Sequence, residues 1–186
     1  MMKKEKNSTA APSCVTRRHF LMSSGGVTAT GMILSAVPGM IGELRAEIIE
    51  HPRKKVGSLS DLKVDQPVIF NYPDKHPLYS LSFLVKLGAP AGGGIGPDKD
   101  VVAFSALCSH MGGVMAGIYR AADKIAGPCP LHLTTFDLTK HGMVVAGHAT
   151  ESLPQVVLEL KGNDVFATGI MGLIYGKRDN RDKNPT

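Results

Sequence analysis

The chain has 186 residues, of which 43% are hydrophobic, 20% charged and 5% aromatic, with no Trp and a formal net charge of +5. That positive excess is local: Lys3, Lys4, Lys6, Arg17 and Arg18 face only Glu5 ahead of residue 41, leaving 16 Lys and Arg against 15 Asp and Glu in the rest. Most of the chain is therefore close to neutral, and its high pI is no argument for nucleic acid or for acidic partners.

The first element is an export signal. Thr16-Arg17-Arg18-His19-Phe20-Leu21 has the twin-arginine pattern, with lysines ahead of it and a weakly apolar run from Leu21 to Met40 behind it. The run is rich in Gly, Ser and Thr, which makes it a poor membrane span and a good signal core. This predicts delivery to a bacterial periplasm, with membrane association only if the signal segment is retained. Cleavage has no tidy Ala-x-Ala; the candidates lie around Ser35-Ala36-Val37 and Leu44-Arg45-Ala46. The expected organisation is a signal segment at 1–40, a connecting region at 41–66, one domain at 67–176 and a charged tail at 177–186. The tail has no apolar anchor, so it is expected to fray.

Short apolar runs of strand type follow, broken by Gly, Pro, Asn and Asp: Val68 to Tyr72, Tyr79 to Leu87, Val101 to Leu107, Met143 to Ala146, Val156 to Leu160, and Val165 to Ile170. With no long helix-period stretch after the signal, the expected fold is an all-β antiparallel sandwich or barrel. Between the second and third runs lies Gly88-Ala89-Pro90-Ala91-Gly92-Gly93-Gly94-Ile95-Gly96-Pro97. It lacks the Gly-Lys-Ser/Thr ending of a phosphate loop and is read as a flexible surface loop.

Two ligand pairs interrupt the strand pattern. Cys108-Ser109-His110 is followed, after 18 residues, by Cys129-Pro130-Leu131-His132. Gly112, Gly113 and Pro130 mark both as tight loops, so the region at about 106–137 is expected to form an inserted ligand-binding subdomain. Two thiolates and two imidazoles on paired loops suit a 2Fe-2S centre in which Cys108 and Cys129 hold one iron and His110 and His132 the other. Zinc accepts the same donors, although its sites usually pair Cys with Cys and His with His, whereas each pair here is mixed. With four ligands in hand, the nearby His141 and His148 are assigned loop or surface roles.

Around these loops the chain resembles the Rieske family and, more narrowly, is similar to the small subunit of arsenite oxidase. The residues that carry the resemblance are Cys108-Ser109-His110-Met111-Gly112, Cys129 to Asp137, Gly147-His148-Ala149-Thr150-Glu151-Ser152-Leu153-Pro154 and Gly172-Leu173-Ile174-Tyr175-Gly176. Many Rieske proteins join the two loops by a disulfide, but the matching positions here are Gly113 and Leu131. Cys14 precedes the export segment, so the folded domain should contain no disulfide. High-potential Rieske proteins also place a Ser and a Tyr two and four residues after the second His, where this chain has Thr134 and Phe136. Thr can still donate to a sulfur and Phe cannot, which implies a lower potential.

No nucleophile-base pair, nucleotide fingerprint or second metal constellation gives the chain an evident substrate site of its own. The resemblance implies an electron-transfer subunit of a two-subunit oxidoreductase. Its partners would be a large molybdopterin catalytic subunit and a periplasmic cytochrome c or cupredoxin. Electrons would run from substrate outward in an arsenite oxidase, the reading favoured by the motifs, and inward in the similar iodate reductases. A cytochrome bc Rieske subunit, which normally has a membrane anchor, and a stand-alone Rieske carrier are the alternatives. A tip formed by Met111, Gly112, Gly113 and Leu133 is expected to face the redox partner.

Overall fold

The computed structural model describes residues 51–180. The segment 1–40 read as an export signal, Cys14, the first part of the expected connecting region and residues 181–186 lie outside the described residues. Ten strands run through the remainder: β1 Lys54–Ser58, β2 Val68–Asn71, β3 Leu81–Lys86, β4 Val101–Ser105, β5 Tyr119–Arg120, β6 Ile125–Ala126, β7 Thr135–Asp137, β8 Met143–Ala146, β9 Gln155–Lys161 and β10 Asp164–Met171. The helical structure among the described residues is one 3-10 turn, Leu59–Asp61. The all-β expectation holds.

The strands form two antiparallel sheets, six-stranded in the order β1-β10-β9-β4-β3-β2 and four-stranded in the order β5-β6-β7-β8. Lys54 of one edge strand of the larger sheet donates from Nζ to the Asn71 carbonyl at the end of the other edge strand, 2.6 Å away. The sheet therefore curls toward closure, which shields its edges from further pairing.

β3 and β4 are the wall between two cores, and the period-2 alternation of strand side chains explains how. Phe83, Val85, Val102 and Phe104 point into one core with Cys108, Met115, Ala126, Cys129, Phe136, Leu138 and Leu153. Leu84, Val101 and Ala103 point into the other, with Leu62, Tyr72, Val156, Leu158, Val165 and Ala167. Burial on both faces is why these runs are almost continuously apolar. Phe83 and Phe104 sit opposite each other in the ladder with ring centroids 6.1 Å apart, a favoured aromatic spacing. Cys108 and Cys129 thus both belong to the core between the two sheets.

The structure differs from the sequence reading at both ends of the domain. β1 lies inside the stretch read as a connecting region and pairs with β10. Its sequence, Lys54-Lys55-Val56-Gly57-Ser58, has no apolar run because it is an edge strand, where lysines discourage further pairing. At the other end, Lys177 is not part of a frayed tail: its side chain is fully buried and its Nζ lies 2.6 Å from Asp74 Oδ2. Asn180 also bonds back to Ile174 and Gly172.

The glycine-rich loop is fastened as well. The Gly92 N–H donates to the Thr139 carbonyl and the Gly92 carbonyl accepts from Gln155 Nε2, at 2.8 Å each. A Cβ on Gly92 would fall 2.5 Å from the His141 ring, so glycine is there to allow close approach to the ligand-loop subdomain rather than to supply flexibility. His141 completes the contact through Nδ1, 2.8 Å from Gln155 Oε1.

Candidate metal centre

The two ligand loops are built on one backbone plan. In the first, the Cys108 N–H donates to the Gly113 carbonyl at 2.8 Å and the Gly112 N–H to the Cys108 carbonyl at 2.9 Å. In the second, the Cys129 N–H donates to the Thr134 carbonyl at 2.8 Å and the Leu133 N–H to the Cys129 carbonyl at 2.9 Å. Each loop closes through a residue in the left-handed region, Gly112 at φ 69° and Leu133 at φ 61°. Glycine adopts that conformation freely, whereas a leucine there is strained by about 1–2 kcal/mol. Such strain is retained where the surrounding structure dictates the turn.

These turns gather the four donors. Cys108 and Cys129 are buried, both with free thiols, and their sulfurs adjoin. Burial pushes the Cys108 thiol above its usual range, and the neighbouring Cys129 sulfur adds to this, while the N–H groups of His110 and Met111, donating to the Cys108 sulfur, pull the other way. His110 and His132 lie with ring centroids 4.7 Å apart, edge to face. His132 is exposed. The Nδ1 of His110 is buried and has no hydrogen-bond partner. A buried imidazole nitrogen left without a partner costs about 1–3 kcal/mol, and a metal ligand is the role that resolves it. Among the described residues no three or more His, Cys, Asp or Glu side chains converge on one point. The donors come instead as a pair of sulfurs and a pair of imidazoles, which fits two irons with two protein ligands each.

A third segment roofs the second loop. Thr134 is fully buried, and its Oγ1 accepts from the N–H of His148 at 3.2 Å and of Ala149 at 3.3 Å. Those bonds occupy the oxygen's lone pairs and leave its hydrogen to donate elsewhere. A Cβ on Gly147 would collide with Thr134 Cα, so only glycine permits this approach. On the other side, Ser109 donates its hydroxyl to the Glu151 carbonyl at 2.7 Å, tying the first loop to the same segment. Phe136 is fully buried in the core that contains both cysteines.

Gly113 and Leu131, the positions of the loop-joining disulfide in many Rieske proteins, do face each other: a Cβ on Gly113 would lie 3.1 Å from Leu131 Cγ and 2.6 Å from Cys129 Sγ. The glycine is buried against the ligand sulfur. This corrects the expected tip. Met111 and Leu133 are 52% and 66% exposed, but Gly113 faces inward and Gly112 is covered by the Tyr175 ring, which a Cβ there would strike. The exposed apolar side chains of the two ligand loops are Met111, Leu131 and Leu133.

Two residues at the site are not legible from the sequence as parts of it. His148, expected in a loop or surface role, is exposed but has its ring centroid 5.9 Å from that of His110 and 6.4 Å from that of His132. Tyr175 is visible in the sequence only as a member of a terminal motif. The sequence signal for His148 is Gly147, whose missing side chain lets this segment close over Thr134. Beside the loops, a cleft of about 560 Å³ lies between Ser109, Glu151 and Ser152 on one side and Met171 to Lys177 on the other.

A β domain with two matched Cys/His loops feeding one core defines an iron-sulfur electron-transfer protein. Residues 54–157 match the family model of the Rieske [2Fe-2S] domain, and the chain belongs to that family, with a 2Fe-2S cluster as its cofactor. It is 51% identical to iodate reductase subunit IdrB of Pseudomonas sp. (strain SCT) over 93% of this chain and 88% of that one. It is 52% identical to iodate reductase subunit IdrB of Denitromonas iodatirespirans over 91% of this chain and 88% of the relative. In fold it is similar to the soluble domain of Rieske protein II from Sulfolobus acidocaldarius, with a TM-score of 0.59 at 23% identity over 73% of this chain and 85% of that chain.

Proposed function

We propose that this chain is the electron-transfer subunit of a periplasmic two-subunit oxidoreductase of the iodate reductase type. In this reading it passes electrons from a cytochrome c or cupredoxin to a large molybdopterin subunit that reduces an oxyanion. The observation that carries the reading is identity above 50% to two iodate reductase subunits along more than nine-tenths of the chain. The motif resemblance to arsenite oxidase favours the opposite direction of flow, but it rests on four short segments and is outweighed by similarity along the whole chain.

The bound cluster supplies one-electron storage, and the rest is done by this chain's side chains. Cys108 and Cys129 are the thiolate ligands, and His110 and His132 the imidazole ligands. Neutral imidazoles in place of two thiolates lower the negative charge of the centre and raise its potential above that of an all-Cys ferredoxin. The amides of His110 and Met111 stabilise negative charge on the Cys108 sulfur. Thr134 is placed to donate its remaining hydrogen, whereas Phe136 offers no donor and keeps water out. Electron transfer weakens steeply with distance, so the exposed His132 edge is the exchange point. Met111, Leu131 and Leu133 of the two ligand loops are exposed and offer a partner apolar contact. The twin-arginine segment brings the folded, cluster-loaded subunit to the periplasm.

Co-expression with the product of the adjoining reading frame tests this. The expected result is a complex containing molybdenum in which the dithionite-reduced centre is reoxidised by iodate and is not reduced by arsenite. Reduction of the centre by arsenite, with no response to iodate, would reverse the assignment.

A further inference from the structure

The stretch Gly172–Asn180 is folded on itself and pinned at two points on either side of one exposed aromatic ring. The Lys177 N–H donates to the Ile174 carbonyl at 3.1 Å, the Ile174 N–H to Asn180 Oδ1 at 3.0 Å, and Asn180 Nδ2 to the Gly172 carbonyl at 2.8 Å. The first pin is the fully buried Ile174. The second is the ion pair of Lys177 with Asp74, whose carboxylate also accepts from the Ser80 hydroxyl and from the His76 N–H. A positive φ of 83° at Gly176 and the ring of Tyr79, which a Cβ on Gly176 would strike, fix the turn between the pins.

Between these pins stands Tyr175, 38% exposed, with its ring on the backbone of Gly112. Gly112 is the residue whose N–H closes the first ligand loop onto Cys108. Both cysteines of the described domain are free, so no covalent tie steadies the two loops. The second loop has its own roof in Gly147–Ala149, while the tip of the first meets Tyr175.

We propose that Gly172–Lys177 is a clamp on the first ligand loop, and that Tyr175 is a positioning residue that fixes the geometry and retention of the cluster through Gly112. The clamp replaces a covalent loop tie by an aromatic contact anchored in the larger sheet. It rests on the reading of Cys108 and His110 as ligands and goes beyond it, because Tyr175 acts through Gly112, which is not one of the four donors.

The test uses the full, cluster-loaded chain. Tyr175→Ala is expected to speed cluster loss at raised temperature by roughly tenfold, the rate equivalent of about 1.4 kcal/mol, and to alter both the EPR line shape and the midpoint potential. Tyr175→Phe, which keeps the ring, restores all three. Gly112→Ala pushes a methyl group into the ring, so its effect on the loss rate should shrink in the Tyr175→Ala background. An unchanged loss rate and EPR spectrum in Tyr175→Ala overturns the clamp. So does an equal Gly112→Ala effect in both backgrounds. If Tyr175→Ala loses its cluster altogether, Tyr175→Phe decides, since an equally complete loss there overturns the ring contact. Failure of the ligand reading is distinguishable, since it would show as a cluster that survives Cys108→Ala.

Discussion

Single residues set the electronic character of this centre. Phe136 is fully buried in the core that also contains both cysteines, and a Tyr there would bring a donor into that core. Phe136→Tyr is therefore expected to raise the midpoint potential, because a donated hydrogen bond stabilises the more negative, reduced form. Protein-film voltammetry on a variant with an intact cluster checks the direction, and no upward shift would count against that geometry. A second residue-level prediction concerns the surface. Leu133→Lys puts a charge on the most exposed apolar residue of the two ligand loops and should slow electron exchange with the partner subunit while leaving the EPR spectrum unchanged; equal stopped-flow rates would place the docking surface elsewhere. The four donors are legible in the sequence because a Cys-x-His and a Cys-x-x-His in one short stretch suit little chemistry besides metal binding. The inward direction of Gly112 and Gly113 is not, since a glycine signals a turn without saying which neighbour fills the space above it. The proximity of His148 to the imidazoles escapes a sequence reading because it arises from the close approach of Gly147 to Thr134, which no periodicity or spacing announces.

At the scale of elements, the fold is legible wherever an apolar run of four or more residues marks a strand. β8 coincides with its predicted span, and β2, β3, β4, β9 and β10 differ from theirs by a few residues at the ends. β1 escapes notice because its edge position tolerates lysines, and β5, β6 and β7 because two or three residues are too few to display a period. A tie between elements gives a testable pH dependence. Asp65, ahead of β2, accepts from Lys124 Nζ at 2.8 Å and from the Tyr119 hydroxyl at 2.5 Å, fastening the β5-β6 hairpin to the larger sheet. Lys124 foremost, and then Tyr119, hold the Asp65 carboxyl below the usual carboxylate range. Hydrogen bonds from Lys177, Ser80 and the His76 N–H do the same for Asp74, against the opposing effect of burial. A depressed carboxylate contributes stability above its unfolded pKa and loses it as pH falls through the folded value. The domain should thus lose thermal stability on acidification below about pH 4. Asp65→Asn should flatten that acid limb in a melting series, and an unchanged limb would show that this tie is not responsible. Tyr119→Phe removes one charged hydrogen bond and should cost about 1.5–3 kcal/mol in denaturant unfolding.

For the whole molecule, one shared wall explains why the site is where it is. β3 and β4 feed alternate side chains to a core within the curled larger sheet and to a core beneath the ligand loops, so the loops are anchored by the same residues that stabilise the domain. The Cys side of the site is sunk in that second core and the His132 side is exposed, an asymmetry suited to holding a cluster while exchanging electrons at one edge. The direct test of this account is EPR spectroscopy, with iron and sulfide analysis, of the reduced full chain and of its His132→Cys variant. The account predicts equal amounts of iron and sulfide, a mixed-ligand Rieske spectrum for the unaltered chain, and either a ferredoxin-like spectrum or no cluster in the variant. An unaltered Rieske spectrum in His132→Cys, or zinc in place of iron in the parent, would contradict it.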